Sequence, residues 1–215
     1  TLHADAIRSI GLAHSNLNKL LDILSQLLDF ERIDHSSMNP KTEAVPLKQN
    51  IDNLFTIFQP LCQQQQKTLH TSSIDCQLGV WADPQLLNRI LTNLLSNALK
   101  YTRTGGIRIY LEKKLSLDTD DVSISIGNDD CNKVENFTLV IEDTGIGIRA
   151  EDIPRIFEKG YTGVNGRDDN RATGIGLYLS NKIMRKLGHR LYITSTEGKG
   201  TKVFLEFSVE DLNMY

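Results

Sequence analysis

Cysteine is scarce in this chain. Cys62, Cys76 and Cys131 are the only three among 215 residues, odd in number and far apart, which excludes a disulfide framework and a CxxC metal pattern and points to a reducing, cytosolic setting. Long apolar runs are missing as well. Nothing approaches the ~18 residues of a membrane helix, and no basic head, apolar core and small-residue cleavage site marks a secretory signal. Positive charge is not in excess: 24 Lys and Arg stand against 27 Asp and Glu, a net charge of −3. That argues against a general nucleic-acid binder and requires any polyanion site to be local. GxxxxGK[ST] does not occur, so the chain is no P-loop protein, and Gly174-Ile175-Gly176 meets Leu179 where a dinucleotide fingerprint requires Gly or Ala. The aspartates of the acidic segment 118–136 lack the spacing and the glycine of an EF-hand loop, and the segment reads as a solvated hairpin insertion.

What remains is an ordinary globular composition, 40% hydrophobic and 24% charged, sufficient for one large domain or a domain with a small appended element. The chain starts at Thr1 without a Met and enters helical periodicity at once, so a fragment of a longer protein is expected. From Ala4 to Ile33, apolar residues including Ile7, Ile10, Leu17, Leu20, Leu24, Leu27 and Leu28 recur at helical intervals. This stripe has no globular partner nearby in sequence and calls for a second helix or another subunit. His3, His14 and His35 flank or ride the helix and read as solvated. Breakers between Ser36 and Pro46 mark a linker, with one short strand around Glu43 to Val45.

Leu47 to Gln66 resumes helical spacing, and Thr68–Ile74 and Gly79–Trp81 are short strand candidates. Asp83 and Pro84 supply an N-cap and a first helical residue, after which Leu86, Leu87, Ile90, Leu91, Leu94, Leu95, Ala98 and Leu99 draw one broad apolar face. Beside it, at spacings of four and three, run Asn93, Asn97 and Lys100, either a solvated face or a polar stripe that requires partners. Ile107–Leu117 alternates as a strand, Val122–Ile126 is a candidate extra strand, Phe137–Ile141 is another strand, and Ala150–Phe157 reads as a short helix. A helix from Leu177 to Leu187 stops at Gly188, and His189–Ser195 and Thr201–Val209 form a terminal hairpin. The fold class is α+β, a two-layer sandwich with helices on one face of a mixed sheet.

The stretch from Glu142 to Leu177 organises the rest. Glu142-Asp143-Thr144-Gly145-Ile146-Gly147 follows a strand, so Asp143 is expected at a strand end facing a cavity. Thr173-Gly174-Ile175-Gly176-Leu177 precedes a helix, where exposed backbone N–H groups favour phosphate. An acid at one side and an anion site at the other can hold the two ends of a nucleotide.

Five segments, Asn93–Thr102, Asp143–Gly147, Arg155–Glu158, Gly174–Leu177 and Gly198–Thr201, resemble in order and spacing the N, G1, F, G2 and G3 boxes of sensor histidine kinases in the GHKL superfamily. The resemblance covers roughly Pro46 to Val209, and the wording of Glu158–Gly163 is similar to a subgroup that senses cell-envelope stress. It implies 1–36 as the second helix of the dimerisation and phosphotransfer hairpin, 37–46 as linker, and 47–215 as the ATP-binding catalytic domain. It further implies that Asp143 accepts the adenine amine, that Gly145 and Gly147 leave room for the base, and that Thr201 helps through ordered water. Asn97 would coordinate Mg²⁺ with Asn93 alongside, Lys100 and Tyr101 would contact phosphate or ribose, and Gly174, Gly176 and Leu177 would receive the phosphates. Lys159, Arg167 and Arg171 become candidate clamps for the γ-phosphate in a lid that orders with nucleotide.

In ATPases of the gyrase and MutL kind, the residue four before the metal-binding Asn is a water-activating Glu; here it is Asn93, which cannot act as a general base. The expected nucleophile is a histidine imidazole. No phosphoacceptor box of His, acid, apolar, Arg and Pro occurs in the chain, so the acceptor is expected upstream of Thr1. The resemblance implies a cytoplasmic kinase domain of a membrane-anchored sensor, homodimeric through the N-terminal helix, with a response regulator as partner. The alternatives are a GHKL-type ATPase or serine protein kinase, against which Asn93 argues, and a non-catalytic dimerising relay, against which Asn97, Asp143 and the glycine boxes argue.

Overall fold

The computed structural model describes residues 39–72, 74, 78–114, 136–163, 173–207 and 212–214, with backbone alone at 113–114, 136 and 212–214. It also describes Ala6, Ser9, Ile10, Gly11, Ala13, His14, Leu17 and Leu24, all helical, as the periodicity of that stretch demands. The candidate strand Val122–Ile126 and most of the expected N-terminal helix lie outside the described residues.

The elements run β1 (Glu43–Pro46), α1 (Leu47–Gln64), β2 (Thr68–Thr71), β3 (Leu78–Ala82), α2 (Pro84–Tyr101), β4 (Gly106–Lys114), β5 (Asn136–Asp143), a 3₁₀ turn (Ile153–Arg155), α3 (Gly176–Lys186), β6 (Arg190–Thr196), β7 (Gly200–Glu206) and β8 (Leu212–Met214). The main sheet has the order β2-β4-β5-β7-β6. β2 pairs parallel with β4 and the other pairs are antiparallel, so the sheet is mixed. A smaller sheet, β1-β3-β8, stands beside it. The strand expected near Glu43 is therefore tied to β3, with Val45 opposite Val80.

Period-2 alternation sorts the main sheet into two faces. Ile107, Ile109, Leu139, Ile141, Leu191, Val203 and Leu205 are buried on the face covered by helices. The opposite face carries Glu142, which pairs with Arg108 at 3.0 Å and lies 3.6 Å from Lys202, and a Tyr192–Phe204 stack with centroids 4.6 Å apart. The ion pairs, half open to solvent, contribute little. On the helix side, α2 buries all eight apolar residues of its stripe. Each large side chain of that kind is worth about 1.5–3 kcal/mol on burial, an upper bound for a chain that is partly collapsed when unfolded. α1 contributes Leu47, Ile51, Leu54, Phe58 and Cys62 and continues through Pro60.

Helix ends follow their local chemistry. Asp83 Oδ1 accepts from the N–H groups of Gln85 and Leu86 at 3.1 Å each, capping α2. At the end of α3, Gly188 is left-handed (φ 81°) and a Schellman pair closes the helix, Gly188 N–H to Arg185 O at 3.1 Å and His189 N–H to Met184 O at 2.8 Å. One expected helix is not formed. Ala150–Phe157 makes only the 3₁₀ turn Ile153–Arg155, because Pro154 supplies no N–H and the segment offers no apolar stripe long enough to repay a nucleus.

Candidate functional site

Asp143 closes β5 on the helix-facing side of the sheet, opposite Ile107 on β4 and Thr201 on β7. Its side chain is buried, 8% exposed. It borders a cavity of about 790 Å³ whose walls also include Asn93, Asn97, Lys100 and Tyr101 from α2, Gly174, Gly176 and Leu177 at the start of α3, and Gly147 and Thr201. The volume falls in the range of small-molecule sites. Segments far apart in the chain thus meet around one hollow, whose wall holds both the acid and the start of a helix.

The acid is held from two sides. Gly145 N–H donates to Asp143 Oδ1 at 2.8 Å. Burial raises the pKa of Asp143 above the ordinary carboxylate value, while hydrogen bonds from the backbone of Gly145 and Thr201 pull it back down. Thr201 is oriented by a residue that no motif had singled out. Ser195 Oγ donates to Gly200 O at 2.8 Å, accepts from Ile148 N–H at 2.9 Å and lies 2.9 Å from Thr201 Oγ1. With the Ser195 proton committed to a carbonyl, Thr201 donates to Ser195, and its remaining lone pair is an acceptor. Carboxylate and hydroxyl then both offer acceptors.

In the same wall, α3 starts at Gly176 with Ile175 as N-cap and no side-chain cap. No N-cap side chain therefore takes the N–H groups of Gly176 and Leu177, in contrast to the Asp83-capped start of α2. Asn93 Nδ2 donates to Ser180 Oγ at 2.9 Å, joining α2 to α3; Ser180, like Ser195, is a lone serine in sequence with no pattern to reveal it.

Protein atoms crowd the positions that a side chain would take at Gly145 and Gly147. A Cβ at Gly145 would lie 2.5 Å from Tyr101 O, and one at Gly147 would lie 2.1 Å from Thr196 O. Gly145 itself does not line the cavity, and neither does Lys159, which is exposed. Arg167 and Arg171 lie outside the described residues. The base of the expected lid is described: Gly160 N–H donates to Gly174 O at 3.0 Å, Tyr161 OH donates to Asp152 Oδ1, and the Arg155 guanidinium lies 4.3 Å from the Tyr161 ring centroid.

Among the described residues, no three His, Cys, Asp or Glu side chains converge on a point that could hold a metal ion. The cavity offers hard oxygen from Asn97 instead. One amide oxygen suits a Mg²⁺ that arrives with its waters on a polyphosphate, which needs few protein ligands. Among the same residues, no helix is long and apolar enough to cross a membrane.

A two-layer α+β domain whose cavity is lined by a strand-end acid and an uncapped helix start has the features that a nucleotide site requires. Residues 82–211 match the family described as histidine kinase-, DNA gyrase B-, and HSP90-like ATPase, and the chain belongs to that family, which implies the use of ATP. It is 37% identical over 132 residues to the sensor protein kinase GraS of Staphylococcus aureus (strain JH1), a match covering 61% of this chain and 33% of that protein. The chain thus spans about a third of the length of that curated relative. Its fold is similar to that of full-length ShkA in complex with AMPPNP (TM-score 0.68, 18% identity, 91% of this chain and 36% of that one). It is also similar to the Acinetobacter baumannii histidine kinase AdeS (TM-score 0.62, 19% identity, 91% of this chain and 81% of that one). Sensor histidine kinases belong to two-component systems that act with response regulators and dimerise.

Proposed function

We propose that this chain is the ATP-binding catalytic domain of a sensor histidine kinase, which places Mg²⁺–ATP in the cavity and presents the γ-phosphate to the histidine of a phosphotransfer hairpin. The observation that carries this reading is the meeting of Asp143, a buried carboxylate, with Asn97 and the uncapped start of α3 in the wall of one cavity. Asp143 and Thr201 supply acceptors only, matching the donor amine of adenine and mismatching the carbonyl that guanine presents at the same position. The N–H groups at Gly176 and Leu177 face the phosphates and complement their charge, and Lys100 is placed to contact phosphate or ribose.

Asn97 would hold Mg²⁺, which would supply neutralisation of phosphate charge. The remaining work of the domain is orientation for in-line attack. Asn93 has no basic group to activate water, and its amide is engaged with Ser180; transfer to an imidazole is therefore favoured over hydrolysis.

The whole kinase acts as a homodimer through the N-terminal helix. Ile10, Leu17 and Leu24, seven residues apart, are 68%, 56% and 53% exposed, the seam that a second helix covers. The phosphohistidine then serves a response regulator at the cytoplasmic side of a membrane-anchored parent. Titration calorimetry with ATP, with and without Mg²⁺, tests the binding step, and incubation with a separately supplied hairpin carrying the acceptor histidine tests transfer. Tight Mg²⁺-dependent binding and a labelled histidine are expected. A folded sample that neither binds ATP nor labels the hairpin overturns the reading.

A further inference from the structure

We propose that Asn93 is a positioning residue that fixes the start of α3 against α2, and that residue 176 is glycine because of Asn93 and not because of phosphate. This rests on the nucleotide reading above and deepens it by naming what keeps the two halves of the phosphate site in register. Asn93 Nδ2 donates to Ser180 Oγ at 2.9 Å, across 87 residues of sequence. Ser180 is 2% exposed and lies one helical turn beyond Gly176.

The other end of the same amide rests on Gly176. A Cβ built there would meet Asn93 Oδ1 at 2.3 Å, Cγ at 3.0 Å and Nδ2 at 3.1 Å, all three nearest atoms belonging to this one side chain. Gly176 is not among the glycines with positive φ, so its backbone would accept any L residue. What opposes a side chain there is space, and the Asn93 amide, held by Ser180, occupies it. One amide therefore spans the first turn of α3, bonded at one end and in contact at the other.

Asn97 follows Asn93 by one turn of α2. The clip thereby sets where the N–H groups of Gly176 and Leu177 stand relative to the Asn97 oxygen. A methyl group at 176 would wedge the two helices apart, and loss of Asn93 would free them. Either change acts on the phosphate end of the cavity, while Asp143 and Thr201 at the base end belong to β5 and β7 and are untouched.

The test titrates the chain with adenosine, which samples the base end, and with Mg²⁺–ATP, which samples both. Gly176→Ala, Asn93→Ala and Ser180→Ala are each expected to weaken ATP roughly tenfold, the scale of one hydrogen bond to a charged group, and to leave adenosine affinity unchanged. Ser180→Ala adds nothing to Asn93→Ala. Gly176→Ala costs nothing further once residue 93 is Ala, because the space is then open. Equal cost of Gly176→Ala in both backgrounds, a silent Ser180→Ala, or a parallel loss of adenosine binding overturns the proposal. The coupling of Gly176→Ala with Asn93→Ala is also read in thermal unfolding without nucleotide. A wild-type chain that fails to bind ATP defeats the nucleotide reading, whereas additive melting shifts defeat this one.

Discussion

Gly145 and Asp143 form a closed unit: the N–H of the glycine donates to the carboxylate at 2.8 Å, and a Cβ on that glycine would lie 2.7 Å from the same oxygen and 2.5 Å from Tyr101 O. The turn that follows β5 thus holds the acid in the cavity wall and is pinned beneath α2. A larger residue would displace the acid, the helix end, or both.

Burial raises the Asp143 pKa, so the folded chain takes up this proton at higher pH than the unfolded chain does. The contribution of this group to stability is full below the unfolded carboxylate pKa and is lost as pH rises through the folded value. Nucleotide affinity runs the other way, since the adenine amine needs the ionised acceptor. In the free protein, melting temperature relative to Asp143→Asn is expected to rise on acidification, while ATP affinity falls through the same window. At neutral pH Asp143→Asn is expected to lose ATP binding by at least about tenfold and to keep its fold. Calorimetry and thermal unfolding across pH check both; parallel trends would contradict the assigned role.

Asn97 is half-buried and its side chain faces the cavity wall that Asn93 and Lys100 share. Asn97→Ala removes the amide oxygen proposed to hold Mg²⁺ and takes no group out of the core. The expected outcome is an ATP affinity that no longer responds to Mg²⁺, with an unchanged unfolding midpoint. A variant that still gains affinity on adding Mg²⁺ would place the cation elsewhere.

The α2 stripe, the capping aspartate and the glycine-bracketed loop were legible because each depends on neighbours within a few positions. Helix periodicity placed Asn93, Asn97 and Lys100 together, and the strand pattern of Phe137–Ile141 placed Asp143 at a strand end. What escaped depends on contacts across the fold. Ser180 meets Asn93 over 87 residues and Ser195 meets Ile148 over 47, and no local pattern marks either serine. Gly145 and Gly147 were recognisable as glycines that mattered, yet the atoms excluding a side chain belong to Tyr101 and Thr196. β8 has only three residues and gains its place from pairing with β3; so short a run carries little period-2 signal.

Tyr161 and Asp152 root the loop that precedes α3. The phenol donates to a carboxylate that is 7% exposed, and the Arg155 guanidinium sits 4.3 Å from the ring centroid. Tyr161→Phe keeps the ring and its cation contact while withdrawing the donor. Taking a donor from a buried carboxylate costs about 1–3 kcal/mol, so the urea midpoint is expected to fall and ATP to bind more weakly as the loop root loosens. Tyr161→Ala, which also loses the ring, is expected to fall further. Unfolding curves of the two variants, run beside ATP titrations, separate hydroxyl from ring; equal stability of Tyr161→Phe and wild type would remove the hydroxyl from the account.

Gly198 lies in the turn between β6 and β7, Gly200 opens β7, and the pair separates two costs that glycine substitutions usually combine. Gly198 has φ 78° with nothing within 4 Å of the position a methyl group would take, so Gly198→Ala meets only the left-handed backbone penalty, about 1 kcal/mol. Gly200 has φ 119°, and its Cβ would lie 1.9 Å from Asp143 O and 2.9 Å from Asp143 C. There the conformation is nearly restricted to glycine, and β7 must move off β5 at the pair that brings Asp143 and Thr201 to one cavity. Gly200→Ala is expected to cost more than about 3 kcal/mol in urea unfolding and to weaken ATP, whereas Gly198→Ala leaves ATP affinity unchanged. Because the two residues are neighbours in one hairpin, a general weakening of that hairpin would lower ATP affinity in both variants. Loss confined to Gly200→Ala ties nucleotide binding to the spacing of Asp143 against Thr201.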